Sequence, residues 1–121
     1  MPRRSPLAEI GQSLRSSVNA SVLIRALADT TSPAAVGPEA AQELLDAMTG
    51  YARALAGHLG AAKAAFKASK GNPALGGADD LVEAGGWADE AELELGALRE
   101  AATRFAVAMS VAGLRPNMVT R

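Results

Sequence analysis

A chain of 121 residues has the length of one domain and can bury a core, but twenty-eight alanines against two Phe, one Tyr and one Trp make that core thin. A net charge of −1 sets up no long-range field for nucleic acid or an anionic membrane, so neither is expected as a partner. With no cysteine, disulfides, thiolate metal sites and cysteine nucleophiles are excluded.

The basic start Met1-Pro2-Arg3-Arg4 leads into an apolar stretch interrupted by Glu9, Gln12 and Arg15, which is not the pattern of a signal peptide. No charge-free apolar window of about 18 residues occurs, so no membrane span is expected. A cytoplasmic location is the expectation, with leaderless secretion also compatible. Nine arginines against three lysines fit a GC-rich bacterial coding bias. Alanine favours helix because it gives up almost no side-chain entropy there, and β-branched residues seldom run together, so strands have little support.

A first helix is predicted from about residue 6 to 29. Ser5 can cap it, and Pro6 suits the first helical position, where a missing N–H costs nothing. Leu7, Ile10, Leu14 and Val18 recur at helical spacing. Residues 16–21 are rich in side chains that compete for backbone hydrogen bonds, so a kink is expected there. Residues 30–37 read as a linker of turn formers.

A second helix is predicted over 38–70, ended by Gly71 and Pro73. Residues 71–86 read as a glycine-rich loop holding one short helix over 79–84. A third helix is predicted over 87–113, with Gly113 and Pro116 as its stop and a frayed tail over 114–121. The fold expected is all-α, a three-helix bundle dominated by a long antiparallel helical hairpin.

The core stripe of the second helix runs through Ala41, Leu44, Met48, Tyr51, Leu55, His58, Ala62 and Ala65, widened by Leu45, Ala52, Leu59 and Phe66. That of the third runs through Ala91, Leu95, Leu98, Ala102, Phe105, Met109 and Ala112. Charge order points to antiparallel packing. Lys63, Lys67 and Lys70 would face Asp89, Glu90, Glu92 and Glu94. Glu39, Glu43 and Asp46 would face Arg99, Arg104 and Arg115.

The second helix has another face made only of small residues: Ala47, Gly50, Ala54, Gly57, Ala61, Ala64 and Ala68. Such residues let helix axes approach closely. Either the first helix or a second copy of the chain could fill this face. Together with a core poor in large side chains, it leads to the expectation of a non-enzymatic interaction or assembly module. Its interface residues would be Ala47, Gly50, Ala54, Gly57, Ala61, Ala64 and Trp87, its partner another protein or itself as a homodimer. No metal and no cofactor is expected.

Two local patterns suggest other functions. Arg53-Ala54-Leu55-Ala56-Gly57-His58 resembles the Arg-x4–6-His motif of the HEPN superfamily of helical ribonucleases. The resemblance implies Arg53 and His58 acting on an RNA phosphodiester across a dimer, His moving the proton and Arg stabilising phosphate charge. It covers six residues, and Ala54 replaces the family's usual polar residue. Trp87-Ala88-Asp89 near the turn of a hairpin is similar to the small secreted WXG100 proteins, though it lacks their glycine; that resemblance implies a small secreted protein, and a phage-type assembly subunit is the alternative of the same class. The bland counterpart for Trp87 is a hydrophobic staple on Leu81, Val82 or Phe66.

The seven acids between Asp79 and Glu94 fit a solvated loop and a helix N-terminus, which favours acids. Gly76-Gly77 and Gly85-Gly86 lack the Lys-Ser/Thr of a phosphate loop and read as turns and caps.

Overall fold

The computed structural model describes residues 4–117. It is an all-α helical bundle of four helices: α1 (Pro6–Asp29), α2 (Pro33–Val36), α3 (Pro38–Ser69) and α4 (Ala78–Val111), with a 3-10 turn at Pro73–Leu75. The three long helices run up, down and up. Lys63 near the end of α3 meets Glu92, and Gln42 near its start lies beside Met109 and Asn117, so α3 is antiparallel to α4. Ser5 meets Asp80 and Arg25 meets Glu94, so α1 and α4 are parallel.

Local chemistry sets the helix ends. Ser5 caps α1, its Oγ accepting from the Ala8 N–H at 3.1 Å and donating to Asp80 Oδ2 at 2.7 Å. One serine thus starts α1 and ties it to the first turn of α4. At the other end of α1, the hydroxyls of Thr30 and Thr31 donate to the carbonyl of Leu27. Gly71, with φ of 76°, takes the third place of a turn closed by the Asn72 N–H on the Ser69 carbonyl. Gly113, φ 80°, ends α4: its N–H donates to Ser110 O, and the Leu114 N–H donates back to Met109 O at 2.9 Å. This is a Schellman stop, and Leu114 packs on the core beside it.

Along the chain, the elements themselves differ from the sequence reading in four places. No break interrupts residues 16–21; α1 is one continuous helix. The linker over 30–37 holds the short helix α2, closed by Gly37 at φ 89°. The loop expected over 71–86 ends at Gly77, because α4 starts at Ala78 and runs straight through Gly85 and Gly86. Two mid-helix glycines cost about 2 kcal/mol relative to alanine. Opposing that cost, Ala84 and Ala88 are buried and Asp79 and Asp80 favour the helix start. Finally, residues 114–117 are held rather than loose. The Gln42 side chain accepts from the Asn117 N–H at 2.9 Å and donates to its carbonyl at 2.8 Å. The remaining tail residues, 118–121, and the start, 1–3, lie outside the described residues.

The core runs along the bundle axis. From α3 it takes Ala41, Leu45, Met48, Ala52, Leu55, Leu59 and Ala62. Tyr51 and His58, expected in that stripe, are exposed at its edge. α3 packs on both α1 and α4, as a three-helix bundle requires, and so does α4, which buries the wider arc. Its buried set spans Ala84, Ala88, Ala91, Glu94, Leu95, Leu98, Ala101, Ala102, Phe105, Ala106 and Met109. One side of that arc meets α3 and the other α1. Contact with α1 is close: a Cβ on Gly11 would lie 3.4 Å from Ala84 Cα. The parallel α1–α4 pair, which sequence patterning did not suggest, is therefore as central to the bundle as the α3–α4 hairpin.

Candidate interaction surfaces

Because α1 lies in the groove between α3 and α4, it does not cover the small-residue face of α3. Gly50, Ala54, Gly57, Ala61, Ala64 and Ala68 are all exposed, and Ala47 is half-buried at the edge. A Cβ built on Gly50, Gly57 or Gly60 meets no heavy atom within 4 Å. Gly60 belongs to the same surface, which widens the stripe on the side of Arg53.

Trp87 is ten residues inside α4 rather than at its start. It is half-buried against the core, and the Arg15 guanidinium of α1 lies over its ring, 5.8 Å from the centroid. The staple geometry needs Trp87 at a helix N-terminus, so it does not form.

Arg53 and His58 do not converge within one chain. Five residues along an α-helix turn the side chain by about 140° around the axis. Arg53 faces solvent. His58 turns towards α1, where its Nδ1 shares a hydrogen bond with Ser17 Oγ at 2.6 Å. Around it Glu9, Gln12, Ser13 and Ser16 line a shallow polar groove.

The acids after residue 78 divide by helix face. Glu92 pairs with Lys63 at 2.8 Å on the α3 side, as antiparallel packing of these helices requires. Glu94 points the other way and is 6% exposed. Arg25 reaches it with two nitrogens, Nε to Oε2 at 3.0 Å and Nη2 to Oε1 at 2.8 Å. The hydrogen bond that Arg25 donates to Glu94 holds the Arg25 pKa above its ordinary value, against the opposing effect of burial. At the far end, Arg115 shares a groove with Glu39, Glu43 and Asp46, whereas Arg104 approaches Asp29 of α1 at 4.0 Å. Among the described residues, no three His, Asp or Glu side chains converge as metal ligands do. No described helix is long and apolar enough to cross a membrane.

Sequence reasoning missed a second outward surface. Val82, Leu93, Val107 and Val111 all project from α4 into solvent. Their signal is visible once α4 is known to be one helix, because they recur on the face opposite its buried arc. No known protein-family model, curated protein or solved structure matches this chain.

Proposed function

We propose that this chain is a non-enzymatic helical interaction module that self-associates through the outward face of α3. The observation that carries the reading is the uncovered run Gly50, Ala54, Gly57, Ala61 and Ala64, on a helix whose opposite face is committed to the core. Small side chains allow a second helix to approach at the near end of the usual range of about 8–10 Å. At that distance backbone dispersion and Cα–H···O contacts add to the pairing. The charge order of α3 favours an antiparallel copy. Glu39, Glu43 and Asp46 at its start would lie beside Lys67 and Lys70 at the end of the other, with Gly57 at the centre.

Sedimentation equilibrium tests this directly. The parent chain is expected to self-associate at micromolar concentration. Gly57→Leu adds a bulky side chain where nothing in the monomer lies within 4 Å, so it leaves the fold intact and weakens the contact. A parent that stays monomeric up to about 100 μM, roughly −5.5 kcal/mol on the affinity scale, overturns the reading.

A further inference from the structure

Ser17 departs from other helical hydroxyls of the chain. Thr49, Ser69, Thr103 and Ser110 each donate back to a carbonyl of their own helix, three or four residues earlier. The Ser17 hydroxyl instead crosses to α3 and shares a 2.6 Å hydrogen bond with Nδ1 of His58. With the ring proton on Nε2, Oγ–H donates and Nδ1 accepts. A base then touches the proton that a serine must lose to act as a nucleophile.

Both groups are reachable. Ser17 is half-buried and His58 exposed, and both line the polar groove along α1. Ser13 lies one turn before Ser17 on the same face, and Gln12 lines the groove beside it. Their O–H and N–H groups are donors of the kind that stabilise the negative oxygen formed when a carbonyl is attacked. Every lining residue is polar, so the groove suits a small acyl group rather than a long hydrocarbon chain. Arg4 and Glu9 both border it, so its charge does not select an anionic donor.

We propose that Ser17 is an acylation site, accepting a small acyl group from a neutral, activated oxygen ester with His58 as the base. Oγ bonds to the carbonyl carbon, and the bond from that carbon to the leaving oxygen breaks. The hydroxyl proton passes to His58 Nδ1 and from there to the departing oxygen, so the products are the Ser17 ester and an alcohol or phenol. The chain is modified once and does not turn over, which keeps it an interaction module. The ester also removes the proton through which Ser17 joins α1 to α3.

The test treats the full chain with p-nitrophenyl acetate at neutral pH and locates the acetyl groups by peptide mass mapping. Hydroxylamine separates serine esters, which it cleaves, from lysine amides, which it leaves. Ser17 is expected to acquire acetyl at least about tenfold faster than Ser13 or Ser16, which share the groove but not the base. His58→Gln keeps a hydrogen-bonding side chain without the base, at an exposed position where the fold tolerates it. It is expected to slow Ser17 acetylation at least about tenfold and to leave the lysine rates and the helical circular dichroism unchanged. Three results would overturn the proposal: no acetyl on Ser17, Ser17 reacting no faster than Ser13 and Ser16, or His58→Gln acetylated at Ser17 as fast as the parent.

Discussion

Arg25 and Glu94 join the parallel helices α1 and α4 by a two-pronged ion pair whose acid is buried and whose base reaches the surface. Removing Arg25 strands a carboxylate in the core. Arg25→Ala is expected to cost about 2–3 kcal/mol, below the full penalty for a buried pair because the guanidinium is partly solvated. Urea unfolding measures it. Arg25→Leu with Glu94→Leu should recover most of the loss, since no charge is then left unpaired. Because the Arg25 pKa is raised on folding, its contribution is fully present below its unfolded value and fades only as pH rises through the folded one. Alkaline titration should therefore show that loss only in strongly basic solution.

Ser21 is fully buried, and its hydroxyl has no hydrogen-bond partner. An unmet hydroxyl of this kind costs about 1–3 kcal/mol. Ser21→Ala removes it and suits a helix better, so a gain of about 1–2 kcal/mol is expected. A thermal melt that shifts upward by several degrees supports this. A lower melting temperature would mean that the hydroxyl makes a favourable contact.

Two glycines should respond in opposite directions to alanine. Gly76 has φ of 148°, and its Cβ would come to 3.0 Å from Leu7 Cβ and Ser5 Oγ. Gly76→Ala is expected to cost about 2–3 kcal/mol, through backbone strain and displacement of the α1 start. Gly50 is helical, exposed and has open space around it, so Gly50→Ala should add about 0.5–1 kcal/mol to monomer stability. Denaturation below the concentration at which the chain associates separates these effects from assembly.

Gln42 should govern the order of the segment after Gly113. Its amide makes both hydrogen bonds that hold the Asn117 backbone against α3. Gln42→Ala is expected to cost about 1 kcal/mol and to speed amide exchange at Asn117 by roughly fivefold or more. Exchange at Met109, inside the α4 core, should stay as it is.

Much of the fold is legible in the sequence, because helix punctuation is local chemistry. Ser5-Pro6, Gly71 and Gly113 act within one turn of where they stand. Relationships across helices are not local. Nothing near Glu94 in sequence distinguishes it from Glu92, and only the parallel placement of α1 turns one towards Arg25 and the other towards Lys63. Tyr51 and His58 share a seven-residue period with Leu44 and Ala65, but Leu45, Ala52 and Leu59 repeat at the same period on the other side of Met48 and Leu55, and the core takes that side. Gly85-Gly86 looked like a break because glycine weakens a helix locally, whereas burial of Ala84 and Ala88 carries α4 through it. That supposed break separates Val82 from Leu93, Val107 and Val111, which share its face in one continuous helix. The α3 stripe was legible as composition. Its exposure was not, since that depends on where α1 packs.

Nine of the nineteen residues in the core cluster are alanine. Unfolding therefore uncovers less hydrocarbon than it would in a bundle of the same length filled with leucine and phenylalanine. The heat-capacity change on unfolding scales with that area, so it should be small for this chain. A small heat-capacity change flattens the stability curve: the folded state is never deeply stable, but it weakens little on cooling. Cold should therefore leave this bundle folded.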